Sequence, residues 1–140
     1  MSVLNAYVLD TSVAVAWYLD EVFSRSARVW QERVLAGKVI LIVPSLHYWE
    51  FANVLRTLVL RHELSEALAR EIYELHLDAP LERSEPEKKV VLDLALKYGA
   101  TAYDAVYIGL CLSRRVRLIT AEKTTRAWVT KLKDRIEAVR

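Results

Sequence analysis

Apolar and polar positions alternate along the chain in blocks that predict strands separated by helices. Three short apolar runs predict strands, namely "AYVL" (6–9), "VILIVP" (39–44) and "VRLIT" (116–120). The second run contains no polar residue, which is typical of a strand covered on both faces. The segments "APLERS" and "RIEAV" (135–139) are candidates for two further short strands.

Between these runs, apolar residues recur at helical spacing. Gly37 and Gly99 stand where helix C-caps would, and Ser84 and Glu87 have the spacing of a capping box. The predicted helices cover 10–19, 24–37, 45–61, 65–76, 84–99, 101–115 and 122–132. Strands that alternate with helices predict an α/β fold, a three-layer α/β/α sandwich around a parallel sheet.

Length and composition restrict the class of protein. A chain of 140 residues that is 54% apolar and 27% charged fits one domain, residues 1–140, with a substantial core. No apolar run is long enough for a membrane span and no leader pattern precedes the first strand, so we expect a cytoplasmic protein. The single cysteine, Cys111, excludes an internal disulfide, and the histidines show no zinc-ligand spacing.

The net charge of +2 conceals an uneven distribution. Residues 1–113 carry 11 basic and 15 acidic side chains, whereas residues 114–140 carry nine basic and three acidic ones. A basic segment of this kind can attract a polyanion such as RNA, although a solvated helix face is an equally good interpretation. The side chains that we expect to bind RNA are Arg114, Arg115, Arg117, Lys123 and Arg126.

Acidic side chains follow two of the predicted strands. Asp10 comes directly after "AYVL", and Glu122 comes two residues after Thr120. The carboxyl ends of parallel strands meet at one edge of a sheet, where ligand sites of such folds lie. If the two strands are neighbours, Asp10 and Glu122 face the same cleft.

Two more acids stand near the starts of predicted apolar helices. Asp104 lies in "TAYDAVYIGL", and Glu50 lies in "SLHYWEFANVL", one turn before Asn53. An unpaired charge on a buried helix is costly, so each carboxylate needs a partner or a cation. Both helices are predicted to begin near the edge that carries Asp10.

Each acid also has an ordinary structural explanation. Asp10 could cap a helix, Asp104 could close a capping box with Thr101, and Glu122 could interact with a helix dipole. Glu50 lies too far inside its helix to cap it and could be a satisfied buried acid or a solvated one. None of these explanations predicts four acids at one end of one sheet.

Clustered carboxylates raise one another's pKa values and require bound cations at neutral pH. Ligand sets made only of oxygen suit Mg²⁺ or Mn²⁺, which are commonly held by a few carboxylates, water and substrate phosphate. The pattern therefore predicts metal-dependent phosphodiester chemistry, in which the ion activates a water molecule and neutralises the leaving oxygen.

The chain resembles the PIN domain in an ordered set of motifs, "YVLDTS", "WEFANVL", "YDAVYIGL" and "LITAE". Its length and the order of these motifs are most similar to those of the VapC toxins of prokaryotic toxin–antitoxin pairs. The resemblance implies a Mg²⁺- or Mn²⁺-dependent endoribonuclease with a parallel sheet of about five strands. It also implies a homodimer silenced by an antitoxin protein.

By this resemblance, Asp10, Glu50 and Asp104 are catalytic and hold metal or water. The supporting hydrogen bonds would come from Thr11 or Ser12, Thr120 and Asn53. Glu122 is the fourth catalytic and metal-binding residue that the resemblance implies. It departs from the family pattern, which usually has Asp at this position, so a directly bound metal would have to shift or bind through water. The apolar helix from residue 45 onward suits a dimer or antitoxin surface, or else a helix buried all round.

Two other functions compete with this interpretation. A phosphatase with Asp10 as nucleophile would often have a second acid two residues later, where this chain has Ser12. A PIN-like module that binds RNA or protein without cutting would be expected to have lost acids, whereas all four are present. Metal-dependent cleavage separates the nuclease from the binding module.

Overall fold

The computed structural model describes residues 4–124 and 126–140. In these residues five strands form one sheet in the order β3-β2-β1-β4-β5, and every neighbouring pair is parallel. The strands are β1 (Asn5–Leu9), β2 (Val39–Val43), β3 (Glu82–Arg83), β4 (Arg117–Thr120) and β5 (Ile136–Ala138). The predicted parallel sheet and its five strands are confirmed.

Helices connect the strands and cover both faces of the sheet. They are α1 (Thr11–Val15), α2 (Ser24–Leu35), α3 (Leu46–Leu60), α4 (Glu66–Leu77), α5 (Lys88–Tyr98), α6 (Ala102–Arg114) and α7 (Ala127–Leu132). A 3₁₀ turn, Lys133–Arg135, leads into β5. Within the described part of the chain, no helix has the length and apolar character needed to span a membrane.

The strands divide their side chains between two hydrophobic layers. Leu9, Leu41 and Ile119 pack against the helices α1 to α4 on one face. Their neighbours Val8 and Leu118 point to the other face, where α6 and α7 cover them. This two-residue alternation, with both faces buried, is why β2 needs an uninterrupted apolar sequence. The predicted three-layer sandwich is confirmed.

Some helix boundaries differ from the predicted ones. The first helix ends at Val15 and continues as tight turns, in which Trp17 N–H donates to the Ala14 carbonyl. The predicted capping box of α5 is wrong, because the helix begins at Lys88 and Ser84 N–H instead donates to the Val43 carbonyl beside β3. Part of the predicted helix 122–132 falls on residue 125, which lies outside the described residues.

The strand order creates a switch point between β1 and β4. From β1 the chain moves in one direction to β2 and β3, and then returns to place β4 and β5 on the other side of β1. Helices therefore leave this point on opposite faces of the sheet, and a cleft opens between them at the carboxyl edge. Asp10 N–H donates to the Ile119 carbonyl at 3.0 Å and joins the two strand ends beneath that cleft.

Candidate active site

All four predicted acids line one cleft at the carboxyl edge of the sheet. Asp10 follows β1, Glu50 lies in the second turn of α3, Asp104 lies in the first turn of α6, and Glu122 follows β4. The cleft has a volume of about 330 Å³. The sequence expectation that β1 and β4 are neighbours is confirmed, and the cleft lies over their junction.

Asp10 is held through one of its two carboxylate oxygens. Thr120 Oγ1 donates to Asp10 Oδ2 at 2.7 Å, and Ser12 Oγ donates to the same oxygen at 3.1 Å. Both hydroxyls are fixed in turn, because Glu122 N–H donates to Thr120 Oγ1 and Ala121 N–H donates to Ser12 Oγ. Although Asp10 occupies the N-cap position of α1, its side chain makes no capping hydrogen bond.

Glu50 is held in the same way from inside the protein. Tyr107 Oη donates to Glu50 Oε1 at 2.6 Å, and Thr11 Oγ1 lies 3.0 Å from the same oxygen. Thr11 and Tyr107 are both buried, with 6% and 3% of their surfaces exposed. Among the described residues, neither Asp10 Oδ1 nor Glu50 Oε2 accepts a hydrogen bond, so each acid presents one oxygen to a ligand.

Asp104 owes its position to the start of α6. Thr101 is the N-cap residue, and its Oγ1 accepts a hydrogen bond from Asp104 N–H at 3.0 Å. The cap thus uses the backbone of Asp104 and leaves its carboxylate at the cleft, which it lines. An acid in the first turn is also stabilised by the positive end of the helix dipole.

Glu122 faces both the cleft and a cation. Its Oε2 lies 3.2 Å from Arg126 Nε, and about a third of its side chain is exposed. Arg126 therefore shares the charge of the acid on which the sequence departs from the family pattern.

The four acids interact electrostatically in a row. Burial raises the pKa of Asp10 to about 6, and the charges of Glu50 and Glu122 add to the rise, while hydrogen bonds from Thr120 and Ser12 oppose it. Burial also raises the pKa of Glu50, against its hydrogen bonds from Tyr107 and Thr11 and together with the charge of Asp104. A cation in the cleft would relieve these repulsions.

The carboxylate oxygens of the cleft suit a divalent ion that keeps most of its water ligands. In the described residues no three side chains of His, Cys, Asp or Glu converge to form a pre-arranged metal site. Mg²⁺ retains several waters and is usually bound by one or two carboxylates together with substrate phosphates. The unpartnered oxygens of Asp10 and Glu50 match that requirement, whereas a closed structural metal site would need more protein ligands.

The other predicted site residues divide into two groups. Thr11, Ser12 and Thr120 support the acids as expected. Asn53 is exposed on α3 and is not among the residues that line the cleft.

The five predicted RNA-binding residues do not form one patch. Lys123 and Arg126 follow β4 close to Glu122, which lines the cleft and pairs with Arg126. The other three, Arg114, Arg115 and Arg117, lie at the opposite edge of the sheet, where α6 ends and β4 begins. The reason is the length of α6, which places Arg114 about 15 Å along the helix axis from Asp104.

Sequence reasoning missed several residues of the site. Glu21 and Phe23 belong to the loop before α2 and line the cleft, and no pattern in that loop indicates it. Tyr107 lies three residues after Asp104, on the same helix face, which is the one sequence signal for its contact with the site. Its apolar surroundings in "YDAVYIGL" make it look like an ordinary core residue.

The molecule is a parallel α/β sandwich with four carboxylates in a cleft at the switch point of its sheet. The PIN domain family matches residues 7–127, and the chain belongs to that family. The matched range contains all four acids. Comparison with curated protein sequences found no match.

Solved structures with the same fold extend the comparison. PAE2754 from Pyrobaculum aerophilum has 21% identity and a TM-score of 0.73, with 95% of this chain and 83% of that chain covered. VapBC2 from Rickettsia felis, bound to a promoter DNA fragment, has 14% identity and a TM-score of 0.67, with 96% and 99% covered. VapC20 from Mycobacterium tuberculosis, a toxin that cleaves the sarcin–ricin loop, has 12% identity and a TM-score of 0.57, with 84% and 88% covered.

Proposed function

We propose that this protein is a Mg²⁺- or Mn²⁺-dependent endoribonuclease of the VapC toxin type. The observation that carries the proposal is the cleft that Asp10, Glu50, Asp104 and Glu122 line, in which Asp10 and Glu50 each leave one carboxylate oxygen without a hydrogen bond from the described residues. Membership of the PIN domain family and the fold shared with VapC20 support the same activity.

Asp10 and Glu50 would hold the metal, with Asp104 completing the site directly or through water. A bound divalent ion supplies a water of lowered pKa as nucleophile and neutralises charge on the phosphate. Glu50 and Asp104 line the same cleft and interact electrostatically, and they would orient the attacking water and accept its proton. Ser12 and Thr120 keep Asp10 in place throughout, because both of their hydroxyl protons are committed to it.

Glu122 would act at longer range than the other acids. Its side chain is one methylene longer than Asp and is shared with Arg126, so it fits a water-mediated contact with the metal. Lys123 and Arg126 follow it at the edge of the cleft and would contact the phosphates of a single-stranded RNA.

A partner protein has a suitable surface on α3 and α4. The groove between these helices is lined by Leu55, Val59 and Tyr73 and flanked by Arg56 and Arg70, with a volume of about 320 Å³. Trp49 on α3 is 66% exposed and Leu60 is 59% exposed, so the alternative of a helix buried all round does not hold. We propose that an antitoxin or a second copy of the chain covers this surface, in keeping with the antitoxin complex of VapBC2.

The test is RNA cleavage by purified protein with added Mg²⁺ or Mn²⁺. We expect cleavage that chelator abolishes, and loss of cleavage in Asp10→Asn and Asp104→Asn with the fold intact by circular dichroism. Asp93→Asn, which changes an exposed acid of α5, is the matched control and should retain full activity. RNA binding without metal-dependent cleavage by the wild type would identify a binding module instead.

A further inference from the structure

A row of polar side chains crosses the hydrophobic layer behind Glu50. Two of its members, His47 and His76, are fully buried among aromatic rings, and Phe51 stacks on His76 with ring centroids 4.2 Å apart. Buried polar groups are costly unless each finds a partner. In order towards the cleft, this buried polar chain consists of Tyr18, His76, His47, Thr11 and Tyr107.

Each member of the buried polar chain contacts the next. Tyr18 Oη lies 3.0 Å from His76 Nδ1, and the Nε2 atoms of His76 and His47 lie 2.8 Å apart. The Nδ1 atom of His47 lies 3.3 Å from Thr11 Oγ1, which in turn lies 2.7 Å from Tyr107 Oη. Tyr107 and Thr11 then meet Glu50 Oε1.

Both histidines are neutral, so each ring carries one proton. Burial lowers the pKa of His47 to about 3, with the charge of His76 adding to the fall, and burial lowers the pKa of His76 to about 4. A direct contact between the two Nε2 atoms then requires one ring to donate and the other to accept.

The proton count fixes the direction of donation. Ionised Glu50 only accepts, so the proton of Tyr107 belongs to Glu50. If Thr11 donated back to His47, the short contacts of Thr11 with Tyr107 and Glu50 would both lack a proton. If Thr11 donates forwards to Glu50, only its contact with Tyr107 lacks a proton. His47 Nδ1 then donates to Thr11, His76 Nε2 donates to His47 Nε2, and Tyr18 donates to His76 Nδ1.

We infer that the buried polar chain positions Glu50, with every donor directed towards Oε1 so that Oε2 alone is presented to the cleft. Tyr107 and Thr11 act on Glu50 directly, and the two histidines act through Thr11. They are positioning residues, since none of them except Thr11 lines the cleft. The inference deepens the proposed function, because it assigns the means by which that site holds its metal-binding or water-binding glutamate ready.

The test compares Tyr107→Phe with Tyr98→Phe by Mn²⁺ binding to metal-free protein, followed by electron paramagnetic resonance. Tyr98 is a suitable control, since it lies at the end of α5, packs against the hydrophobic layer on the other face of the sheet and, among the described residues, makes no hydrogen bond through its hydroxyl. Loss of the hydrogen bond that orients a metal ligand typically weakens metal affinity or activity by roughly 10- to 100-fold. We expect Mn²⁺ affinity and kcat to fall to that extent in Tyr107→Phe, with KM for RNA unchanged, and neither to change in Tyr98→Phe.

The role of the histidines is tested by rescue. His47→Leu removes the donor to Thr11, whereas His47→Asn keeps an amide donor near the place of Nδ1. We expect Mn²⁺ affinity to fall in the Leu variant and to recover in the Asn variant, which a purely structural role would not produce. Equal loss in both variants, or wild-type affinity in folded Tyr107→Phe, overturns the inference.

A measurement on metal-free protein tests the positioning of Glu50 independently of the proposed nuclease activity. The urea midpoints of Tyr107→Phe, Glu50→Gln and the double variant form a cycle, and contact between the two residues predicts a non-additive shift. If wild-type protein neither binds Mn²⁺ nor cleaves RNA, the proposed function fails, but the double-variant cycle still tests whether Tyr107 positions Glu50. Additive shifts of the urea midpoint would refute that positioning role.

Discussion

Two carboxylates in the cleft are each held by hydrogen bonds to only one of their two oxygens. Asp10 and Glu50 each use one oxygen to accept two hydroxyl contacts and leave the other oxygen open. Such anchoring fixes the orientation of a carboxylate without neutralising it, which is what a metal ligand requires. The cost is electrostatic, since the acids lie near one another and are partly removed from water.

The raised pKa of Asp10 leads to a prediction about stability. Because the folded-state pKa of about 6 exceeds the ordinary value of 3.8, ionised Asp10 destabilises the metal-free fold at pH 7, and the penalty disappears as pH falls from about 6 to 4. Asp10→Asn should therefore raise the free energy of unfolding by about 1–2 kcal/mol at pH 7, after allowance for its partial exposure. Urea unfolding with chelator measures this gain.

Measuring the stability gain of Asp10→Asn at two pH values tests whether the charge of Asp10 causes it. The gain of Asp10→Asn over wild type should shrink by pH 4.5, because the wild-type carboxyl is then protonated in the folded state. Asp93→Asn should stay within about 0.5 kcal/mol of wild type at both pH values, as exposed substitutions usually do. A gain that does not depend on pH would contradict the electrostatic origin.

Helices, rather than strands, carry two of the four acids. α3 and α6 both begin at the carboxyl edge of the sheet, so the first turns of each bring Glu50 and Asp104 to the cleft. The position of Asp104 therefore depends on where α6 starts, and Thr101 determines that start by capping the helix.

The caps of α6 and α4 provide a matched pair of variants. Thr101 accepts from Asp104 N–H at 3.0 Å, and Ser65 accepts from Leu68 N–H at 3.1 Å on a helix away from the cleft. Thr101→Ala and Ser65→Ala should each cost about 1 kcal/mol of unfolding free energy. Only Thr101→Ala should also weaken Mn²⁺ binding, because fraying of α6 displaces Asp104.

Thermal unfolding and Mn²⁺ titration of both variants check this prediction. Thr101→Ser, which retains the hydroxyl, should restore both properties. If the two alanine variants lose metal affinity equally, the effect follows from general stability and the cap has no special role at the site.

The distribution of charge matters for the whole molecule. The basic C-terminal segment is split between two edges, with Lys123 and Arg126 beside the acids and Arg114, Arg115 and Arg117 at the far edge. The far-edge arginines are also engaged, since Arg114 pairs with Glu82 at 3.0 Å and Arg117 pairs with Glu137.

RNA binding should depend on the near edge alone. We expect Lys123→Ala with Arg126→Ala to weaken binding of a short single-stranded RNA and to lower the slope of log K against log salt by about 1–2. Loss of Arg126 also leaves the charge of Glu122 unshared, which adds to the effect. Replacing the three far-edge arginines with glutamine should leave the slope unchanged. Fluorescence anisotropy with chelator present measures RNA affinity and its salt dependence for both variants. Equal slopes for the near-edge and far-edge variants would contradict the assignment of RNA binding to Lys123 and Arg126.

The buried histidines predict sensitivity of the whole fold to acid. Their folded-state pKa values of about 3 and about 4 lie below the ordinary 6.5, so the unfolded chain takes up protons first and stability is lost as pH falls through 6.5. Asp10 and Glu50, whose pKa values are raised, oppose this loss. The net fall between pH 7 and pH 5 should be about 2 kcal/mol, and urea unfolding of metal-free protein measures it.

His76→Leu tests the source of the acid sensitivity. That variant should lose stability less steeply below pH 6.5 than wild type, even if it is less stable at pH 7. A profile parallel to that of wild type would show that other groups cause the loss.

The alternation of strands and helices along the chain and the identity of the acids follow from local patterns. β2 is apolar throughout because both faces are covered, and Gly37 and Gly99 end helices with φ of 69° and 62°, which glycine adopts without strain. Asp10 and Glu122 could be placed at one edge because every parallel strand ends there. Sequence by itself thus determined the layered fold, most helix boundaries and the four acids that line the cleft.

Only the tertiary structure decided which side chains meet across the chain. Tyr107 and Glu50 are 57 positions apart, and no local pattern distinguishes a tyrosine that holds a carboxylate from one that fills the core. The histidines are far apart in the sequence, and their contact forms only because α3 packs against α4. The basic residues are close in the sequence, but α6 ends at the opposite edge of the sheet, where Arg114, Arg115 and Arg117 lie. Periodicity reports which face a residue occupies, whereas partners and distances depend on how separate elements pack.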